Sequence, residues 1–217
     1  MKKAILFLHG WGGDENSFAS IAPFFKKHYN CVFIRFPTDP PEPWCLDNYA
    51  NLVMEKINQQ GIDKCHIIAH SFGARVASLL LNHYPKRFDR IVLTGPAGIP
   101  KHFSLWLWLK IRFNKLFRRK NAGSSDYRKL TSIGKQTFKN IIGRDLRPEI
   151  RQIVHKTLII WGNRDKAIPR YMVKLWTNLN TNTKLITYKG NGHFCFIDSP
   201  TRFIIDTQEF LSEVNNV

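Results

Sequence analysis

The chain has 217 residues, 43% of them hydrophobic, and a formal net charge of +17 at pH 7. This length suits a single domain built on one substantial core. The first apolar run meets His9-Gly10 before it reaches the length of a signal-peptide core, and no stretch is long and apolar enough to span a bilayer, so we expect a cytoplasmic protein.

The four cysteines show no C-x-x-C pair and no metal-ligand spacing. We therefore expect reduced structural thiols, since a thiol inside a strand-like run is usually a small buried apolar group. No cluster of His, Cys and carboxylate residues resembles a metal site. We expect no metal and no other cofactor.

Predicted strands and helices alternate along the chain. Short apolar runs without strict alternation predict strands that are covered on both faces, as in a parallel sheet. These runs are Ala4–Leu8, Cys31–Phe36, Cys65–Ala69, Ile91–Thr94, Thr157–Trp161 and Lys184–Tyr188. Segments of helical period lie near Phe18–Tyr29, Asn48–Gln60, Ala74–Tyr84, Tyr171–Leu179 and Thr201–Val214. The alternation predicts an α/β fold with a doubly wound, mostly parallel sheet of about six strands.

A glycine-rich turn, His9-Gly10-Trp11-Gly12-Gly13, follows the first predicted strand. Its glycines allow a tight bend, so that the backbone N–H of Trp11 is free to point towards a ligand. The N–H of Trp11 and the N–H of Phe72, the residue after Ser71, would together stabilise the oxyanion that develops during acyl transfer.

Ser71 stands between the third predicted strand and the helix that follows it, in Ala69-His70-Ser71-Phe72-Gly73. A strand followed at once by such a sequence lifts a hydroxyl above the sheet edge on a strained turn, and the usual pattern is G-x-S-x-G. Here Ala69 takes the place of the first glycine. The small residues on either side of Ser71 leave room for strand and helix to approach closely. A plain helix N-cap is the alternative role for this serine.

The segment from about residue 99 to residue 151 interrupts the alternation. It is too long for a connection and reads as an inserted helical cap. Between Lys101 and Arg151 lie fourteen Lys and Arg residues against three Asp and Glu, a net of +11. At helical spacing, Trp106 and Phe113 fall on an apolar arc with the basic residues opposite. We expect a single domain with its core in residues 1–98 and 152–217.

An acid and a base for the serine follow the last two predicted strands. A hydroxyl becomes a good nucleophile only when a base removes its proton and an acid orients that base. Asp165 follows Thr157–Trp161, and His193 follows Lys184–Tyr188, so both lie at the sheet edge where Ser71 is expected. Asp126 and Asp198 are rival acids. His9 and His70 are expected to support the turns through hydrogen bonds to the backbone.

The segments HGWGG, AHSFGA, WGNRD and GHF, in this order, resemble the α/β-hydrolase superfamily, and the resemblance runs from Ala4 to Phe210. It implies that Ser71 is the nucleophile, Asp165 the orienting acid and His193 the base. The oxyanion-hole amides would then be those of Trp11 and Phe72. The family usually opens with two further strands, so the core is expected to lack these two and to be wholly parallel.

Hydrolysis of a carboxylic ester through an acyl-enzyme is the leading hypothesis, with Trp106, Phe113 and Phe194 binding an apolar acyl group. Relatives that cleave thioesters, amides or carbon–carbon bonds keep the same triad, so these reactions stay open. The basic cap suggests an esterase that acts on esters linked to an acyl carrier protein. A non-enzymatic alternative is a peripheral membrane protein that binds anionic lipid through the cap helix. No recognised motif indicates nucleic-acid binding.

Overall fold

The computed structural model describes residues 2–100, 127 and 129–213. Six strands, all parallel, form one sheet in the order β2-β1-β3-β4-β5-β6. The strands are β1 (Ala4–Leu8), β2 (Asn30–Ile34), β3 (Cys65–His70), β4 (Phe88–Thr94), β5 (Thr157–Gly162) and β6 (Thr183–Tyr188). The predicted α/β fold is confirmed, and the second predicted strand forms an edge of the sheet.

Helices connect the strands and cover both faces of the sheet. The described helices are α1 (Ala22–His28), α2 (Leu46–Gln59), α3 (Phe72–His83), α4 (Ser132–Gly143), α5 (Arg147–Gln152), α6 (Arg170–Leu179), α7 (Cys195–Asp198) and α8 (Pro200–Ser212). Short 3-10 helices occupy Glu15–Phe18 and Pro85–Arg87. Within the described ranges, no helix has the length and hydropathy needed to cross a membrane.

The strands are hydrophobic at successive positions because each face of the sheet has its own core. In β1, Leu6 and Leu8 belong to the core formed with α2, α3, α5 and α6. The intervening Ile5 and Phe7 belong to the opposite core, which contains residues of α1, α7 and α8. Side chains alternate between the two faces of a strand. Both faces of β1 are buried, which explains the lack of polar alternation in its sequence.

The strand order creates a crevice at the carboxyl edge of the sheet. β1 and β3 are hydrogen-bonded neighbours, although β2 lies between them in sequence. The chain leaves β1 towards one side of the sheet and β3 towards the other, and ligands bind at such switch points in open α/β sheets. The loops after β5 and β6 open at the same edge because all six strands are parallel.

Helix α4 and all but the last residue of α5 fall in the segment predicted as a cap, whose boundaries remain a prediction, and residues 101–126 and 128 lie outside the described residues. Polar contacts tie α4 to the loop after β2. The amide of Trp44 donates to Thr137 Oγ1 at 3.1 Å, and Asn140 Nδ2 donates to the carbonyl of Trp44 at 3.2 Å. Asp39 accepts hydrogen bonds from the amide and the hydroxyl of Thr131 just before α4. This part of the cap segment is therefore a fixed wall of the molecule.

Candidate active site

Ser71 occupies the turn between β3 and α3 in a strained conformation, with φ 48° and ψ −105°. Among the described residues it is the one non-glycine residue with a positive φ. Such a conformation costs on the order of 1–3 kcal/mol and persists only where the surrounding fold imposes it. The side chain makes no capping hydrogen bond to α3, so the structure does not support the simple N-cap role.

Gly73 permits the close approach that this turn requires. A Cβ atom added at Gly73 would lie 2.7 Å from the carbonyl carbon of Leu8 in β1. A real Cβ does not approach backbone so closely, so any side chain at this position would push α3 away from the sheet. Gly73, two residues after Ser71, is therefore needed to seat the helix directly above β1.

His193 and Asp165 form a hydrogen-bonded pair at the carboxyl edge of the sheet. His193 Nδ1 lies 2.7 Å from Asp165 Oδ2, and the carboxylate side chain is only 1% exposed. Asp165 Oδ1 also accepts hydrogen bonds from the amides of Ala167 and Ile168, at 2.8 and 2.9 Å. Burial favours the neutral acid, but these hydrogen bonds outweigh it and hold the pKa of Asp165 below its ordinary value. The pair is arranged so that Nδ1 carries a proton and Nε2 is free to act as a base.

Gly95, directly after β4, lies against this pair. A Cβ atom added there would sit 2.8 Å from His193 Nδ1 and 3.2 Å from Asp165 Oδ2. Its φ of 50° also lies in the left-handed region that favours glycine. Sequence reasoning missed this residue, and the signal that was available is a glycine placed immediately after a strand at the functional edge.

Two backbone amides next to Ser71 are free to bind a ligand. In the described part of the chain, neither the N–H of Trp11 nor that of Phe72 donates a hydrogen bond. The turn that presents Trp11 is closed by a 3.1 Å bond from the amide of Gly13 to the carbonyl of Gly10. The indole of Trp11 packs on the ring of Phe72 with a centroid separation of 5.3 Å, so the two backbone positions are held together.

Ser71 and His193 line one cavity of about 360 Å³ at the crevice between the loops after β1 and β3. The cavity is bounded by the glycine-rich turn on one side and by the loop into α7 on the other. Its remaining lining residues are Gly10, Trp11, Gly12, Gly13, Ser17, His70, Phe194, Phe196 and Ile197. A nucleophilic hydroxyl, an imidazole oriented by a carboxylate, and free amide donors therefore share one mainly apolar pocket.

The other histidines and the rival acids have different positions. His9 Nδ1 donates to the carbonyl of Gly10 at 2.7 Å, while its Nε2 accepts from the amide of Phe36 at 3.0 Å. His70 Nδ1 donates to the carbonyl of Thr94 at 3.1 Å. Asp198 accepts from the amide of Gly192 at 2.7 Å and stabilises the loop that carries His193. Asp126 lies outside the described residues.

Of the residues expected to bind substrate, Phe194 lines the cavity and is 46% exposed at its mouth. Trp106 and Phe113 lie outside the described residues. Ser17 and Ile197 also line the cavity and carry no sequence signal, because their positions depend on how distant loops meet. Across the described ranges, no group of three or more His, Cys, Asp or Glu residues could hold a metal ion.

The sequence model of the alpha/beta hydrolase family matches residues 5–207. A 2-hydroxy-6-oxo-6-phenylhexa-2,4-dienoate hydrolase of Burkholderia cepacia is 24% identical, over 97% of this chain and 88% of its own. A putative esterase/lipase of Mycoplasma genitalium is 25% identical, over 98% of this chain and 90% of its own. A solved serine hydrolase from Cycloclasticus zankles superposes with a TM-score of 0.78 and 21% identity, covering 100% of this chain and 92% of that one.

Proposed function

We propose, from the premise that this chain belongs to the alpha/beta hydrolase family, that it is a serine hydrolase that cleaves carboxylic esters through an acyl-enzyme intermediate. One observation carries the proposal. The His193–Asp165 pair, with its 2.7 Å hydrogen bond, opens into the same cavity as Ser71, which is held on a strained turn. A strained serine beside an oriented imidazole is the arrangement that serine acyl-transfer enzymes use.

In the proposed mechanism, the Ser71 hydroxyl attacks the ester carbonyl while His193 Nε2 takes its proton. Asp165 keeps the imidazole in the required tautomer and stabilises the imidazolium that forms. The amides of Trp11 and Phe72 stabilise the negative charge on the former carbonyl oxygen. The alcohol leaves with the proton from His193. Water then attacks the acyl-enzyme while His193 takes its proton, and the acid is released as Ser71 regains a proton from His193.

The walls of the cavity favour an apolar acyl or alcohol group. Phe194, Phe196 and Ile197 form one side of it, and the ring of Trp11 stands at the other. Burial of an apolar group against such walls stabilises its complex by roughly 25 cal/mol per Å² of surface removed from water. Trp106 and Phe113 are proposed to extend this surface from the cap.

A carbon–carbon bond hydrolase is the second candidate, and the relatives favour it. The Burkholderia cepacia relative is named for a 2-hydroxy-6-oxo-6-phenylhexa-2,4-dienoate, and a Comamonas testosteroni relative, 23% identical, is named for a 2-hydroxy-6-oxononadienedioate and the corresponding trienedioate. Incubation with that phenyl-substituted dienoate, beside a panel of nitrophenyl esters of two to twelve acyl carbons, separates the two reactions. Turnover of the dienoate with no turnover of any ester would favour the second candidate.

The nucleophile is tested by labelling with a fluorophosphonate, followed by mass spectrometry of the labelled peptide. We expect the wild-type protein to be labelled at Ser71, and Ser71→Ala to remain unlabelled. Ser17→Ala is the matched control, because Ser17 lines the same cavity and its loss should leave the label in place. A label that survives Ser71→Ala overturns the proposal.

Asp165→Asn should lower kcat on the best ester by about 10⁴-fold, since the asparagine would no longer hold the imidazole of His193 in the tautomer that the mechanism needs.

A further inference from the structure

His70, the residue directly before Ser71, has one ring nitrogen that the fold does not use. The side chain is only 3% exposed, and Nδ1 lies 3.1 Å from the carbonyl oxygen of Thr94. A carbonyl oxygen only accepts, so Nδ1 must carry the proton. In the neutral ring, Nε2 is then an acceptor with a lone pair in the plane of the imidazole.

This lone pair faces the cavity beside the nucleophile. His70 is part of the cavity lining, and within the described residues its Nε2 has no hydrogen-bond partner. Unlike His66 Nε2, it is not sealed away from solvent. A Cβ atom added at Gly10 would lie 2.9 Å from His70 Cδ2, 3.4 Å from His70 Nε2 and 3.5 Å from Ser71 Cβ, so Gly10, which also lines the cavity, packs closely against both residues.

The neighbours of His70 keep the ring in place and uncharged. Its ring centroid lies 4.5 Å from that of His193, 4.9 Å from that of Phe194 and 5.2 Å from that of Phe196. Burial lowers the pKa of His70 to about 3, and the nearby His193 adds to this shift. The imidazole is therefore neutral near pH 7, and Nε2 accepts hydrogen bonds without competing protonation.

We propose that His70 Nε2 determines specificity by accepting a hydrogen bond from a hydroxyl group of the substrate, and that the preferred substrates are esters of short hydroxy acids. Because His70 is adjacent to Ser71, the hydroxyl must lie within a few bonds of the scissile carbonyl, at the second or third carbon of the acyl group. The rest of the acyl group meets the apolar wall of Phe194, Phe196 and Ile197. A site that hydrogen-bonds a substrate hydroxyl discriminates against analogues that lack it. The inference rests on the proposed ester hydrolysis.

Two substitutions separate the two ends of the His70 ring. His70→Asn keeps a side-chain N–H where Nδ1 donates to Thr94 and removes the acceptor that faces the cavity. His70→Gln reaches as far as Nε2 and can keep an acceptor in the cavity, while it loses the donor near Thr94. A role in specificity predicts that these two variants differ, whereas a purely structural role through Thr94 predicts that His70→Asn behaves like wild type.

The test compares nitrophenyl esters of butanoic, 2-hydroxybutanoic and 3-hydroxybutanoic acids, each rate divided by that of its hydroxide-catalysed hydrolysis. We expect wild-type kcat/KM to favour one hydroxy ester over the plain ester by about tenfold, in line with one hydrogen bond inside a largely desolvated site. In His70→Asn this ratio should fall to near one, and in His70→Gln much of it should remain. The readout is the ratio of kcat/KM for the hydroxy ester to that for the plain ester, so a substitution that lowers both rates equally does not affect the conclusion.

Equilibrium binding of the same esters to Ser71→Ala protein, measured by calorimetry, gives a second readout that needs no turnover. We expect the same preference there, and its loss in the Ser71→Ala/His70→Asn double variant. A wild-type ratio near one for both hydroxy esters, or a ratio that His70→Asn leaves unchanged, overturns the inference. Plain-ester hydrolysis that is equal in wild type and Ser71→Ala would instead refute the proposed function, while the binding ratio would still decide the role of His70.

Discussion

Gly95 shows how tightly single residues constrain the candidate active site. It takes a backbone conformation that favours glycine, and the space where its side chain would be is occupied by His193 and Asp165. Ser71 has the converse property, because a non-glycine residue is forced into a positive φ to present its hydroxyl. At Ser71 the fold maintains a strained backbone to place the hydroxyl, whereas at Gly95 a glycine avoids both the strain and the clash with His193.

Gly95→Ala is expected to lower kcat/KM on the best ester by roughly 100-fold, the order of loss that an ångström-scale misplacement of a catalytic group causes. The added methyl must displace His193, since its Nδ1 and Cε1 atoms would lie 2.8 and 2.9 Å from the new Cβ. Steady-state kinetics on wild type and variant measures the loss.

The matched control is Gly61→Ala. Gly61 also has a left-handed backbone, with φ 63°, but a Cβ atom added there would meet nothing within 4 Å. Both substitutions should cost about 1–2 kcal/mol of stability through backbone strain. Only the substitution at Gly95 should impair turnover. Equal kinetics in the two variants would show that the contact with His193 is unimportant.

At the scale of elements, α4 is held against the core from its carboxyl end. Arg75, a buried residue of α3, donates through Nη1 to the carbonyls of Ile141 and Arg144, at 2.9 and 3.0 Å. These are carbonyls at the end of α4, where helices lack internal partners. Phe138 of the same helix packs against Trp11, with ring centroids 5.3 Å apart. The attachment of α4 therefore bears directly on the wall of the cavity.

Arg75→Met should reduce the free energy of unfolding by roughly 2–3 kcal/mol, since the apolar stem is kept while two buried carbonyls lose a charged donor. Urea unfolding followed by circular dichroism measures the change. Arg151→Met on the exposed side of α5 is the control and should change stability by less than about 0.5 kcal/mol. A similar loss of stability in both variants would mean that the free energy of unfolding depends on the overall positive charge and not on the contact of Arg75 with α4.

Local sequence patterns predicted the strands and the helices, and they indicated Ser71, Asp165 and His193 as candidate site residues. Apolar runs identify buried strands, and parallel strands bring their carboxyl ends to one edge. The contacts of Arg75 with α4, of Asp39 with Thr131 and of Gly95 with His193 could not be predicted in this way. Each joins segments far apart in sequence, and no local signal specifies which distant partner fills the space.

At the scale of the whole molecule, the buried histidines couple stability to pH. His66 in β3 is 2% exposed, and its Nε2 has no partner among the described residues. Burial lowers the pKa of His66 to about 4 from 6.5, although Asp89 at 3.8 Å opposes the shift. Between these pKa values the unfolded chain binds a proton that the folded protein does not, so protonation favours unfolding.

The free energy of unfolding should therefore fall as the pH is lowered from about 6.5 to 4, with His66 alone contributing roughly 3 kcal/mol across that window. Urea titrations at half-unit pH steps measure the slope. His66→Gln should reduce this slope by the share of His66 and leave the share of the buried His70 and His9, and the exposed His28→Gln should retain the wild-type slope. A slope that is unchanged in His66→Gln would refute this linkage.

The excess positive charge of the chain falls between Lys101 and Arg151, and the structure describes part of this segment. In the cap segment, Arg144 pairs with Asp47 and Glu149, and Arg147 pairs with Asp145. Lys135 and Lys139 of α4 make no ion pair within the described residues and flank Phe138, which packs on Trp11. Ion pairs thus fix the end of α4, and we propose that its two lysines steer an acidic carrier protein towards the site.

If the substrate is delivered by such a carrier, an acyl ester linked to an acyl carrier protein should be hydrolysed about tenfold faster than the matched free ester at low salt, because opposite charges raise the association rate. This rate advantage should shrink as the salt concentration rises from 50 to 500 mM, because salt screens the attraction between exposed charges. Lys135→Glu/Lys139→Glu should reduce it. Lys64→Glu/Lys156→Glu, the same charge change before β3 and β5 at the opposite end of the sheet, should not. Equal rates for carrier-linked and free esters at every salt concentration would leave the charge without a role in substrate delivery.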